Sequence, residues 1–286
     1  MGLKPGGVER LGESLLAAGL SERIKASPSV MHVSTHNSDY SLKSDEETNC
    51  LNPTLMVEFS NRLISIISSE LERKHFPLVL GGDCSILAGV MPALKSRGSY
   101  GLIFMDAHSD YYTPDQSPTG ELADMDLAIV TGHGPELLTN MNGLAPYVKE
   151  EHVIHLGQRD AVEAETYNVP DIRKTPIHCY DLEMIRKQGF DFVSEKILDN
   201  IDELDLDGFW IHFDTDVIAD DENPAVDYRL PGGLSFEEVK LFLTTLLRTR
   251  KIVGMTVTIF NPDLDPGGSI AEKITDCVSK AFIANF

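Results

Sequence analysis

Residues 102–110 read Leu102-Ile103-Phe104-Met105-Asp106-Ala107-His108-Ser109-Asp110, four apolar residues running straight into an alternation of acid, imidazole and acid. An apolar run of this length, bounded by polar residues, fits a strand buried on both faces in a parallel sheet covered by helices. The signature recurs. Leu78-Val79-Leu80 leads into Gly81-Gly82-Asp83-Cys84-Ser85, and Phe209-Trp210-Ile211-His212-Phe213 leads into Asp214-Thr215-Asp216. A fourth island, Pro231-Gly232-Gly233-Leu234, supplies the glycines that let backbone approach closely. Ligands of an open parallel sheet sit outside the carboxyl ends of its strands. Cys84, Asp106, His108, Asp110, Asp214 and Asp216 should therefore converge on one rim.

Outward from these islands, strand-like and helix-like segments alternate. Strands are expected over 77–80, 101–105, 152–156, 177–180, 208–213 and 252–259. Helices are expected over 9–18, 53–74, 86–95, 181–188 and 192–201, from 235 onward, and over 270–286. This alternation predicts an α/β fold, a three-layer αβα sandwich with a mainly parallel sheet, as one domain over 1–286. Residues 34–50 read as a surface loop. The polar stretch 113–126, beside the second island, reads as a substrate lid.

The residue types on the rim suit metal binding. Asp106, His108 and Asp110 can curl round an ion as the chain leaves a strand, and Asp214 and Asp216 share one side of an extended segment. Carboxylates can bridge, so this set can hold two ions. Carboxylate and imidazole suit Mn(II). Paired ions roughly 3.5–4 Å apart lower the pKa of a shared water and clamp a tetrahedral intermediate. The competing reading, acids that only cap helices after strands, explains one island better than three.

In these islands the chain resembles the ureohydrolase superfamily of arginases, agmatinases and formiminoglutamases, in order from Gly81 to Glu238. The resemblance implies one Mn held by Cys84, Asp106, Asp110 and Asp214, and a second by Asp106, His108, Asp214 and Asp216. It also implies that Glu238 pairs with a substrate guanidinium, although Ser235 and Glu238 equally spell a helix capping box. Hydrolysis of a C–N bond in a guanidino or linear amidine compound follows, releasing urea and an amine, with Asp110, or the metal cluster itself, relaying a proton. A trimer or hexamer is implied as well, and so is an apolar strand ahead of the segment that residues 2–7 resemble.

Several positions depart from the family pattern. Cys84 stands where histidine is usual, which tilts preference from Mn(II) towards Zn, Fe or Co. Thr119-Gly120-Glu121-Leu122-Ala123 replaces a Ser-Gly-Asn-Leu-His stretch, so Glu121 would repel an α-carboxylate and Ala123 cannot shuttle a proton. Tyr112 replaces an asparagine. These changes, with Thr119 and Glu121 at the mouth, favour a cationic or neutral substrate. His133 is the candidate replacement for the missing proton shuttle. Rival readings are an amide deacetylase on the same architecture and a non-catalytic metal-binding protein.

A formal charge of −21 opposes binding to nucleic acid or anionic membranes and favours cationic small molecules. No apolar stretch approaches the roughly 20 residues of a membrane span. The first residues lack a signal-peptide core, and four dispersed cysteines without a CxxC pair read as reduced thiols of a cytoplasmic protein.

Overall fold

The computed structural model describes residues 2–26, 30–33 and 40–285. Each apolar run becomes a strand: β1 (Leu78–Leu80), β2 (Tyr100–Met105), β3 (Val153–Leu156), β4 (His178–Tyr180), β5 (Gly208–Asp214) and β6 (Ile252–Thr258). They form one sheet in the order β1-β6-β5-β2-β3-β4, with every pairing parallel.

That order places the site. From β2 the chain steps outward through β3 and β4, then returns to the opposite side of β2 as β5. The strand order thus reverses between β2 and β5, where an open α/β sheet leaves its ligand crevice. Met105 pairs with Phe213, so Asp106 and Asp214 leave adjacent strand ends at one level.

Alternation along the strands divides the core in two. Ile103, Met105, Phe209, Ile211 and Phe213 face a layer built by α1 (Leu11–Ala17), α9 (Phe190–Glu203), α10 (Phe236–Arg248) and α11 (Ser269–Ile283). Leu102, Phe104 and Trp210 face a layer containing α3 (Pro53–Glu72), α4 (Leu87–Lys95) and α5 (Asp126–Thr131). Phe213 is fully buried, and truncating such a side chain to alanine costs about 3–5 kcal/mol. The three-layer α/β expectation holds.

Shorter helices escaped the sequence reading: α2 (Leu20–Arg23), α5, α6 (Glu136–Thr139) and α7 (Ala161–Thr166). None is long enough for a 3.6-residue period to stand out. α8 (Leu182–Gln188) was expected and forms. The lid expected over 113–126 needs correction in its second half: residues 120–123, 125 and 126 are buried and run into α5. They form wall, not flap. Part of the loop expected over 34–50, residues 34–39, lies outside the described residues. Among the described residues no helix is long and apolar enough to cross a membrane.

Candidate metal centre

Short backbone-to-carboxylate bonds set the rim. His108 N donates to Asp106 Oδ1 at 2.6 Å, Ala107 N to Asp216 Oδ1 at 3.1 Å, and Asp216 N to Asp214 Oδ1 at 2.7 Å. The first and third of these fix an acid within its own island, and the second ties the Asp106 island to the Asp214 island. Ser109 donates through both N and Oγ to Asp160 Oδ2, at 2.9 and 3.0 Å. Arg159 N reaches Ala107 O at 2.8 Å, and its guanidinium donates to the carbonyls of Asp216 (2.7 Å), Val217, Ile218 and Leu230. Arg159 and Asp160 thus pin the second and third islands together. Gly233 has φ +129, and a Cβ there would lie 2.6 Å from Ala219 Cα, so a side chain would push the fourth island off this loop.

Two groups of donor atoms result. Those of Cys84, Asp106, His212 and Asp214 lie within 4.8 Å of one another, and so do those of Asp106, His108 and Asp216. Asp106 belongs to both. Five of the six expected ligands, Cys84, Asp106, His108, Asp214 and Asp216, fall in these groups. Asp110 falls in neither; it turns back at φ +43 and its carboxyl meets that of Asp126. His212 and Asp126 were passed over in the sequence. The signal for His212 was its period-2 relation to Asp214 in an otherwise apolar strand, and for Asp126 an acid inside the apolar run 122–130.

Electrostatics argue that the rim fits cations. Burial, then Asp216, raises Asp106; burial, then Asp216 and Asp106, raises Asp214 well above the usual carboxylate range. Burial, followed by Asp106, does the same to Asp110 and Asp126. Burial, then Asp214 and Asp106, pushes the Cys84 thiol up, and its Sγ lies 2.7 Å from Asp214 Oδ2. Burial alone would raise Asp216, but His108, 2.9 Å away, overrides it and holds the acid low; burial would lower His108, but Asp216 and Asp106 keep it well above its ordinary value. Burial also keeps His212 neutral, lowering it to about 3. Asp106 Oδ2 and both oxygens of Asp126 are buried without a donor among the described residues. Crowded anions with free lone pairs and little compensating charge are what a divalent cation satisfies.

The substrate-side residues behave differently. Glu121 accepts from Lys4 N at 2.8 Å and from Tyr228 Oη at 2.6 Å, so its carboxylate ties down the N-terminal segment and no longer faces an open mouth. Thr119 Oγ1 donates to Asp124 Oδ2 at 3.1 Å inside the same loop. Tyr112 is buried against Tyr167. His133 is half-exposed, 2.8 Å from Glu150, with its ring at the edge of Tyr111. Glu238 completes the capping box with Ser235 and pairs with Arg186 through both oxygens. A substrate cation would have to displace Arg186 to use it. Glu121 and Glu238 are thus both paired within the chain. Leu3, Val8, Cys84, Ala123, Val226 and Ile259 instead form an apolar cluster at the site. Ile259 is held at φ +72 in a three-residue turn closed by Phe260 N to Thr258 O.

Comparison with known proteins gives the family and the fold. The Arginase family model matches residues 16–284. An arginase of Staphylococcus aureus (strain COL) is 31% identical over 228 residues, covering 79% of this chain and 74% of its own length. An arginase structure from Bacillus caldovelox superposes with a TM-score of 0.85 at 26% identity, covering 98% of this chain and 95% of that one. The formimidoylglutamase structure from Bacillus subtilis, 19% identical with a TM-score of 0.73 over 99% of this chain and 82% of its own, shares the fold. A matched model over most of its length, on a rim of carboxylates at the switch point of a parallel sheet, means that this chain belongs to the arginase family of metal-dependent hydrolases.

Proposed function

We propose that the chain is a binuclear hydrolase that cleaves a C–N bond of a guanidino or related linear amidine compound, giving urea and an amine. The observation that carries this reading is the pair of donor groups sharing Asp106. Cys84, Asp106, His108, Asp214 and Asp216 would hold two divalent ions, taken as Mn(II), with Zn, Fe or Co admitted by Cys84. Such ions supply Lewis acidity and a nucleophile at neutral pH.

The chain's own residues do the rest. Asp110 and Asp126 meet as a buried carboxyl pair, and like-charged partners this close keep a proton between them. Asp110 can therefore deliver that proton to the leaving amine. Arg159 keeps the Asp214–Asp216 loop in register by holding its carbonyls. The apolar cluster of Leu3, Ala123, Val226 and Ile259 excludes water beside Cys84 and offers no partner to an α-carboxylate, which favours compounds lacking that group over arginine.

Urea release by the metal-reconstituted protein across arginine, agmatine, guanidinobutyrate, guanidinopropionate and guanidine tests the reading. Turnover of at least one compound, and weaker turnover of arginine, is expected. Silence across the panel with two ions bound would overturn it.

A further inference from the structure

His212 stands on β5, on the face that carries Asp214 two residues later. It is fully buried, and its ring stacks on Phe104 with centroids 4.9 Å apart. Nδ1 lies 2.9 Å from Thr256 Oγ1. That hydroxyl also reaches Ile211 O at 3.4 Å, so with its proton turned to the carbonyl it accepts from Nδ1–H and leaves the Nε2 lone pair free. Nε2 has no hydrogen-bond partner among the described residues. The ring nevertheless belongs to the donor group of Cys84, Asp106 and Asp214.

A buried imidazole can simply be packed, and His155 is the control. Its Nδ1 is likewise unpartnered, its Nε2 meets His108 O at 2.9 Å, and it belongs to neither donor group. His212 differs in having its unpartnered nitrogen on a ring that belongs to one. Its other nitrogen is fixed by an oxygen, which is how metal-binding imidazoles are oriented.

We propose that His212 Nε2 is a metal ligand that completes, with Cys84, Asp106 and Asp214, a four-donor position for a borderline-soft ion such as zinc. The inference rests on the metal-centre reading above and makes the two positions chemically unlike. One sulfur, one nitrogen and two carboxylates suit Zn(II), Fe(II) or Co(II), whereas Asp106, His108 and Asp216 form the more oxygen-rich set that suits Mn(II). A mixed pair of ions follows, with the softer one on the Cys84 side.

The test is zinc-edge X-ray absorption on metal-depleted protein given one equivalent of zinc, with the zinc dissociation constant measured alongside. One sulfur and one imidazole on the zinc are expected. The imidazole should persist in His108→Asn and vanish in His212→Asn, which should bind zinc about 100-fold more weakly. Thr256→Val, which removes the hydrogen bond orienting the ring, should weaken binding roughly 10–100-fold. If His212→Asn does not fold, the wild type, His108→Asn and Thr256→Val still decide. Sulfur without imidazole, loss of the imidazole in His108→Asn, or unchanged affinity in Thr256→Val would overturn the assignment. No zinc bound at all would overturn it together with the metal-centre reading. Zinc held by sulfur and His212 in a protein that hydrolyses none of the panel would leave this assignment standing and sink the proposed activity alone.

Discussion

Stripping the metals should turn the rim into a pH-dependent source of instability. Asp110, Asp126 and Asp214 are all raised well above the ordinary carboxylate value, burial leading in each case. An acid raised on folding binds its proton more tightly in the native state, so the native state carries more protons than the unfolded chain between the two pKa values. Stability is then fully present at low pH and lost as pH rises through that interval. His155 and His212, lowered by burial to about 4 and about 3, give the opposite slope, but only below their ordinary value of 6.5. Above pH 6.5 they are neutral in both states, while His108, raised mainly by Asp216, adds to the acids' slope. From pH 6.5 to 8 the chelated protein should lose about 1.4 kcal/mol per pH unit for each proton the native state retains. Urea unfolding with chelator at several pH values measures this directly. Asp126→Asn, which removes a donorless carboxylate at nearly constant volume, should flatten the slope and stabilise the chelated protein. Saturating metal should lessen the trend, because binding displaces the protons of Asp106 and Asp214, the raised acids that belong to the donor groups. Chelated protein whose stability is flat or rises over this interval would refute the reading that burial and mutual repulsion hold these acids protonated on the metal-free rim.

Other consequences are narrower. Cys84→His should keep two bound ions with a preference shifted towards Mn(II), whereas Cys84→Ala should lose one, as counted by metal analysis. Glu238→Ala should cost about 1 kcal/mol in urea unfolding through loss of the capping box, with the half-exposed Arg186 pair adding under about 1 kcal/mol; a collapse of activity without that destabilisation would restore Glu238 as a substrate contact. His133→Ala should leave the pH–rate profile unchanged, since the ring is solvent-facing and engaged with Glu150; loss of one limb of the profile would make it the proton shuttle.

The sequence by itself determined the sheet and most of the rim. Six strand-like segments, three of them apolar runs ending in polar islands, became strands, because a strand covered on both faces is mostly apolar. Acids placed at the ends of such runs had to emerge at one edge of a parallel sheet. Local sequence also fixed the Ser235–Glu238 capping box, which involves residues three apart. Tertiary structure decided everything that depends on which distant groups meet. Glu121 looked available until Lys4 and Tyr228, 117 and 107 residues away, took both its oxygens. Asp126 looked like the end of a polar lid until the fold buried it against Asp110. His212 looked like one more strand residue, and became a candidate ligand because the β2–β5 and β5–β6 pairings bring Phe104, Thr256 and the Cys84 group around its ring. Periodicity tells a chain which face a side chain takes; only strand order tells it what waits there.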